Sequence, residues 1–384
     1  MRVLNAARLQ QNLEARIGAD IASGRVGCAA VSVRQNRKTV YENCFGTAHP
    51  DGTPLSRDAI FRIASMTKPI TAVAVLLLAD AGKLSLDDRV DRYFPSFRDI
   101  RLVDAQGEEL VLGKRAEEPI TVWHLLTHTS GIGGGAIGAR QLALMPSSAR
   151  ASLSEAVQYY AQAGLQFEAG SAVLYSGVPA FDVAAAIVEK AADIPFESFL
   201  KERIFLPCRM EDTTFAPNAS QWERTVTMHD YRDGKVFVGR TVPGCVFEDF
   251  PTSHILGGAG LVSTLDDYVN FAEMLLCGGV FEGDRVLSEE AVQRMATPQL
   301  SYAIQPRLKR WGLAVKVITD ERYGRLPIGA YGWSGAYGTH FWVDPANRIT
   351  AVYMKNSQYD GGGDAVTANN FEEDVTAALS EADL

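Results

Sequence analysis

Strand-like segments lie near both ends of this chain, and helix-like segments occupy most of the length between them. Runs 28–33 and 39–46 are rich in Val, Ala and aromatic residues and are joined by a polar segment, which predicts a β-hairpin. Strand patterns return only late, in runs 311–318, 335–343 and 349–356. We therefore predict an α/β (α+β) fold in which the two chain ends form one antiparallel sheet flanked by helices.

The middle of the chain is predicted to be an inserted region. Its helical segments are residues 122–126, 153–163, 179–192 and 196–205. We assign residues 1–83 and 256–384 to an α/β sheet domain and residues 84–255 to a mainly helical inserted domain. Two segments within or bordering that insertion, 130–148 with its glycine cluster and 236–255, are predicted to be loops beside a pocket.

Two further segments are predicted to be helices. Residues 65–81 form a long apolar pattern in which Pro69 falls in the first turn and Gly82 follows as a stop signal. The most apolar stretch of the chain, residues 70–79, is about half the ~20 residues that a bilayer requires. Residues 1–22 carry charges among their apolar positions, which predicts an amphipathic helix rather than a secretory signal. We expect a soluble, cytoplasmic protein.

Charge and cysteine content narrow the function classes. With 46 acidic and 37 basic residues the formal net charge is −9, which disfavours nucleic acid and anionic membrane surfaces as partners. The five cysteines form no CxxC pair, so neither a disulfide framework nor a zinc ribbon is expected. His124 and His128 stand four residues apart but lack the Glu of HExxH, so a metal site is disfavoured. No motif indicates a cofactor, and the oligomeric state stays open.

The sharpest local pattern is Ser65, Met66, Thr67, Lys68 at the start of the apolar helix. Residues three apart on a helix share a face, so Lys68 can place its amine beside the Ser65 hydroxyl. A serine hydroxyl is a weak nucleophile until a base takes its proton, and burial lets a lysine act as that base. The helix N-terminus adds N–H groups where an oxyanion would form.

A second SxxK match shows that the spacing alone is weak support. Ser198 and Lys201 have the same separation, but they lie within a charged amphipathic segment, where a solvated helix face is the simpler interpretation. Ser65 differs because it opens an apolar helix.

Residues 61–68, FRIASMTK, resemble the active-site segment of serine β-lactamases, penicillin-binding proteins and the esterases of the same fold, most closely the class C branch and the family VIII carboxylesterases. Segment 120–132, ITVWHLLTHTSGI, and segment 257–264, GGAGLVST, are similar to later parts of that family in the expected order. The resemblance spans about residues 34–356.

The family's Tyr-x-Asn motif corresponds here to Tyr175, Ser176 and Gly177. The resemblance implies that Tyr175 is a base or proton relay, which would need a cationic neighbour such as Lys68 to act as a phenolate. Gly177 departs from the pattern because it has no amide to bind the acylamino group of a β-lactam or peptide.

The family's third motif, Lys-Thr-Gly or His-Thr-Gly in lactamases, corresponds to Trp333, Ser334 and Gly335. This is similar to the Trp-x-Gly of the esterase branch, and it implies an apolar, uncharged acyl ester. Gly335 is expected to allow close approach of the substrate. The N–H of Ala336 is expected to join that of Ser65 in the oxyanion hole.

The resemblance therefore implies a serine carboxylesterase that acts on a small-molecule ester through an acyl-enzyme on Ser65. Three alternatives within the fold remain: a β-lactamase, a D-aminopeptidase and an acyltransferase. A non-catalytic penicillin-binding-like protein is a fourth. The missing Asn at Gly177 and the missing cation at Trp333 argue against the first two.

Overall fold

The computed structural model describes residues 1–106, 109–144, 152–232, 235–239, 255–357 and 359–381. Its strands are β1 (Arg2–Leu4), β2 (Cys28–Gln35), β3 (Lys38–Gly46), β4 (Ile60–Arg62), β5 (Arg101–Gln106), β6 (Glu109–Arg115), β7 (Met228–Arg232), β8 (Lys235–Gly239), β9 (Val262–Thr264), β10 (Val280–Phe281), β11 (Asp284–Arg285), β12 (Lys309–Trp311), β13 (Lys316–Ile318), β14 (Tyr331–Ser334), β15 (His340–Asp344), β16 (Ile349–Met354) and β17 (Leu379–Glu381). Its α-helices are α1 (Ala6–Ala22), α2 (Thr67–Asp80), α3 (Val90–Tyr93), α4 (Val122–Leu126), α5 (Gly135–Leu144), α6 (Leu153–Ala163), α7 (Pro179–Ala192), α8 (Phe196–Leu200), α9 (Ala219–Glu223), α10 (Leu265–Leu276), α11 (Glu289–Met295) and α12 (Val366–Ala377). Short 3-10 turns occupy Ala64–Met66, Pro95–Phe97 and Glu321–Tyr323, and a π-helical turn occupies Lys201–Phe205.

The two chain ends build one seven-stranded antiparallel sheet in the order β12-β13-β14-β15-β16-β2-β3. The late strand β16 pairs with the early strand β2, from Ile349 opposite Gln35 to Met354 opposite Ala30. The outermost strands in sequence also meet, because β1 pairs with β17. The predicted fold class is confirmed.

Both faces of this sheet are covered by helices, which explains why its central strands lack a polar alternation. All six residues of β16 are buried. Its residues Ala351 and Tyr353 belong to the core that α1 and α12 cover, whereas Val352 and Met354 belong to the core that α2 and α10 cover. A strand buried on both sides reads as a continuous apolar run.

Two of the predicted strands are divided differently in the structure. Run 311–318 is a hairpin, β12 and β13, because the chain reverses between them: Gly312 N donates to Val315 O at 2.9 Å, and Ala314 has a φ of 63°. Run 335–343 also includes a turn, because β14 ends at Ser334 and β15 begins at His340. Gly335 therefore lies just after a strand and not within one.

The middle of the chain is mainly helical, as predicted, and it also contains the hairpins β5–β6 and β7–β8. The helices at 122–126, 153–163 and 179–192 are confirmed, and run 196–205 continues from α8 into the π-helical turn. Segment 130–148 is only partly a loop, because residues 135–144 form α5. Residues 236–239 of the other predicted loop belong to strand β8. Residues 145–148 and 240–254 lie outside the described residues. The division into two domains stays a prediction.

None of the helices in the described ranges combines the length and the apolar character that crossing a bilayer requires. Four of the five cysteines, Cys28, Cys44, Cys208 and Cys277, are free thiols. Cys245 lies outside the described residues.

Candidate active site

Ser65 lies in the 3-10 turn that leads directly into the buried helix α2. The preceding residue, Ala64, has a φ of 45°, in the left-handed region that residues with a side chain seldom adopt. Asn356, which follows β16, fixes the chain just before this turn: its side-chain amide accepts from Arg62 N at 2.9 Å and donates to Arg62 O at 3.0 Å. The sheet thus holds the turn through Asn356. Ser65 itself is 9% exposed.

Lys68 is fully buried one helical turn further on, and its amine contacts three oxygens. Its Nζ lies 3.1 Å from Ser65 Oγ, 2.6 Å from Gly177 O and 2.7 Å from Gly258 O. Burial lowers the pKa of Lys68, and the adjacent Tyr175 partly opposes that change. A neutral amine has two N–H groups for the two carbonyls and one lone pair for the serine proton. The arrangement therefore suits a lysine that acts as a base.

Tyr175 approaches the same serine from the inserted region. Its hydroxyl oxygen lies 2.7 Å from Ser65 Oγ, and the Lys68 Nζ lies 4.9 Å from the centre of its ring. The structure therefore brings the three side chains selected from the sequence to a single oxygen atom.

His128 holds the backbone on both sides of Tyr175. Its carbonyl accepts from Leu174 N at 3.0 Å, and its Nδ1 accepts from Ser176 N at 3.1 Å. Its ring lies 4.7 Å from the Tyr175 ring. Burial, with a smaller contribution from Lys68, holds the pKa of His128 well below its usual range, so the ring is neutral and Nδ1 is free to accept. His128 is therefore a positioning residue for Tyr175.

His124 and His128 do not share a helix face, because α4 ends at Leu126 and His128 has a φ of 59°. His124 instead caps its own helix, where its Nδ1 accepts from Thr121 N at 3.0 Å. Among the described residues, no group of three or more His, Cys, Asp or Glu side chains is placed to hold a metal ion.

An aromatic wall, which we define as Tyr175, Trp311 and Trp333, borders the site. Trp333 Nε1 donates to the Tyr175 hydroxyl at 3.4 Å. The Trp311 ring lies 4.6 Å from that of Trp333 and 6.0 Å from that of Tyr175, with only 9° between the planes of Trp311 and Tyr175. The wall gives the site a largely apolar side next to the tyrosine oxygen.

The predicted oxyanion donors are available, although their role stays a prediction. Within the described residues the Ala336 N–H donates to no other group. The Ser65 N–H lies in the first turn of its helix, where backbone donors have no partner within the helix.

Gly335 fills a position where a side chain does not fit. A Cβ at this residue would overlap Ile63 O and Thr339 Oγ1, and Thr339 Oγ1 itself donates to Ile63 O at 3.1 Å. The structure thus assigns Gly335 a packing role against the nucleophile turn, while its role in substrate approach stays a prediction.

We expect Gly335→Ala to lower the free energy of unfolding by about 1–3 kcal/mol, since an extra methyl in a filled site displaces its neighbours. Turnover should fall with it, because the displaced backbone leads to Ser65. Thermal melts and ester hydrolysis would measure both effects. Gly18→Ala in α1 is the matched control, because a Cβ there meets open space. A Gly335→Ala protein with wild-type melting temperature and rate would contradict this packing argument.

Several residues of the site were not selected from the sequence. Gly258 and His128 lie in segments that resemble the family, so a signal existed for them. No local pattern indicated Trp311 or Asn356, because each acts through contacts with distant parts of the chain. The carbonyl of Gly177, rather than its missing side chain, is what the structure places against Lys68.

A mixed fold of this topology, with a Ser-x-x-Lys serine at the start of a buried helix, defines the class of serine hydrolases related to β-lactamases. The chain belongs to the Beta-lactamase family, whose sequence model matches residues 10–373.

Comparison with individual proteins supports the same family assignment. The chain is 33% identical over 363 residues to Protein Rv1367c of Mycobacterium tuberculosis, covering 90% of each chain. It is 30% identical over 385 residues to Esterase EstB of Burkholderia gladioli, covering 93% of each. Its fold is similar to that of EstCE1, a hydrolase with promiscuous acyltransferase activity, with a TM-score of 0.82, 23% identity and coverage of 96% of this chain and 99% of that one.

Proposed function

We propose that the protein is a serine carboxylesterase that hydrolyses short-chain carboxylic esters through an acyl-enzyme on Ser65. The observation that carries this proposal is the contact of Trp333 with the Tyr175 hydroxyl, 3.4 Å away. The resemblance implies that this indole stands where lactamases of the family have a cation. The similarity to Esterase EstB supports the same assignment.

In the first half of the reaction, Ser65 Oγ attacks the ester carbonyl and its proton passes to Lys68 or Tyr175. The negative charge that develops on the carbonyl oxygen is accepted by the N–H groups of Ser65 and Ala336. As the tetrahedral intermediate breaks, the bond to the alcohol oxygen opens and Tyr175 supplies the proton to that oxygen. The acyl group remains on Ser65.

In the second half, a water molecule takes the place of the departed alcohol. Tyr175 and Lys68 accept its proton while its oxygen attacks the acyl carbonyl. Ser65 leaves with a proton returned by the same groups, and the carboxylic acid is released. Lys68 and Tyr175 release each proton that they accept, so the enzyme returns to its starting state.

Two features favour an ester over a β-lactam. Trp333 presents no positive charge to the lactam carboxylate, and Gly177 presents no amide to the acylamino group. A lactam would therefore lose two polar contacts, and hydrogen bonds to a charged group are among the stronger ones.

A panel of 4-nitrophenyl esters of graded acyl length, run beside the cephalosporin nitrocefin, tests the proposal. We expect kcat/KM for the best short-chain ester to exceed that for nitrocefin by at least about 100-fold, which corresponds to the two missing contacts. Equal or faster turnover of nitrocefin would make the protein a β-lactamase instead. An acyl adduct that forms once and never clears would support a penicillin-binding role.

A further inference from the structure

Lys316 begins β13 and lies against the aromatic wall. Its Nζ is 4.1 Å from the centre of the Trp311 ring, the ring that stacks on Tyr175. It pairs with Trp311 on one neighbouring strand and with Gly332, the residue before Trp333, on the other. One tryptophan ring therefore separates this ammonium from the tyrosine of the proposed catalytic group.

Within the described residues, Lys316 has no hydrogen bond and no ion pair. Its neighbour Lys309 differs, since its Nζ lies 3.1 Å from Gly363 O and 2.6 Å from a carboxylate oxygen of Asp364. A largely buried lysine is normally paired, because burying an uncompensated charge is costly. The contact with one indole face compensates only a small part of that cost.

Lys316 lines a pocket that also reaches the wall. Its lining includes Lys309, Lys316, Trp333, Ser334, His340 and Glu372. The other charged and hydroxyl groups among these residues have partners. Ser334 Oγ lies 2.8 Å from His340 Nδ1, and Glu372 lies 3.3 Å from His340 Nε2 and also accepts from Tyr323 and Arg325. Among the charged side chains that line this pocket, Lys316 is thus the one without a hydrogen bond or ion pair in the described part of the chain.

We propose that Lys316 binds an anionic group, a carboxylate, on the ester substrate. A substrate chain that leaves the Ser65 carbonyl along Trp333 would bring such a group to the ammonium. This inference rests on the proposed esterase function and refines its substrate class: the site would prefer esters of dicarboxylic acids, or of alcohols that carry a carboxylate, over neutral esters of the same size.

The charges around Lys316 set the pH range of this preference. Burial, Lys309 and Arg307 lower the pKa of Lys316 to about 7, and Asp364 opposes them weakly. The ring of His128, which is neutral, also lies close enough to be affected by Lys316. The cation that would bind a carboxylate is therefore present below pH 7 and lost above it. A bound carboxylate stabilises the cation, so the loss should shift to higher pH in the complex.

The test compares anionic and neutral esters in matched pairs. For an acyl-side carboxylate, the pair is mono(4-nitrophenyl) adipate and 4-nitrophenyl hexanoate. For an alcohol-side carboxylate, the pair is 3-carboxy-4-nitrophenyl butyrate and 4-nitrophenyl butyrate. We expect Lys316→Gln to lower the anionic-to-neutral ratio of kcat/KM in one pair by roughly 10-fold at pH 6. Lys316→Arg should restore most of it.

Lys83→Gln, on an exposed residue after α2, is the matched control and should leave both ratios unchanged. The wild-type ratio should fall towards that of Lys316→Gln as the pH rises to 9. Ratios that Lys316→Gln does not change in either pair would overturn the proposal.

A second readout does not depend on turnover. Sodium adipate, titrated at constant ionic strength, should change the tryptophan fluorescence of the wild-type protein saturably at pH 6, because Trp311 contacts Lys316. Lys316→Gln should weaken that binding by the same order of magnitude. If adipate binds through Lys316 but no ester is hydrolysed, the esterase proposal fails and the anion site stands. If esters are hydrolysed but adipate binds equally to both proteins, the anion site fails.

Discussion

Changing Ser65 to alanine should lower kcat/KM for a chromogenic short-chain ester at least about 10⁴-fold. The reason is that the substitution removes only the hydroxyl. The Lys68 amine and the Tyr175 hydroxyl, which both contact it, are then left without a nucleophile to activate. The fold should persist, since the substitution removes a single oxygen and adds no volume. Initial rates and thermal melts measure the two effects. Mass spectrometry of wild-type protein quenched during turnover should find the acyl group on the peptide that contains residue 65.

Ser198→Ala is the control for this experiment, because Ser198 has the same spacing to a lysine, Lys201, on a more exposed helix. It should keep the wild-type rate. Full turnover by Ser65→Ala, or an acyl adduct on another residue, would exclude Ser65 as the nucleophile.

Lys68→Ala should be nearly as damaging, with a loss in kcat of about 10³- to 10⁴-fold, since nucleophile and base act as a unit. For the same reason the double variant Ser65→Ala/Lys68→Ala should be no less active than Ser65→Ala alone. Because the proposed base is the neutral amine and burial lowers the pKa of Lys68, the wild-type rate should rise with pH through that lowered value. Rate profiles against pH should show this acidic limb in the wild type and not in the variant.

Removing the Lys68 amine also leaves two buried carbonyls, Gly177 O and Gly258 O, without their donor, which costs about 1–3 kcal/mol each. Lys68→Met, which retains the volume of the side chain, therefore accompanies Lys68→Ala, and both are checked by thermal melts. Lys201→Ala serves as the control lysine. A folded Lys68 variant that retains the wild-type rate and acidic limb would show that another group is the base.

Local sequence pattern was sufficient to predict the helical elements that hold the candidate active site. The spacing of Ser65 and Lys68, at the start of an apolar helical pattern, predicts that their side chains lie together. In the structure Ser65 lies in the 3-10 turn just before the buried helix that contains Lys68. The helices around them were also predictable, since residues 153–163 and 179–192 show a 3.6-residue period that depends on few distant contacts. Strand boundaries were less predictable, because a hairpin turn such as the one between β12 and β13 interrupts an apolar run without a polar break.

The sequence by itself determined the fold class and predicted the role of the central serine, because helix periodicity and motif spacing act over a few residues. Only the tertiary structure decided how Tyr175 is held, by His128 on both sides of its backbone, and which ring stacks on it, Trp311. It alone placed the ammonium of Lys316 against that ring. The contacts of Tyr175 with His128 and Trp311 join residues far apart in the chain, and the Lys316 contact joins two strands of one hairpin. Their geometry depends on tertiary packing, which no local pattern records.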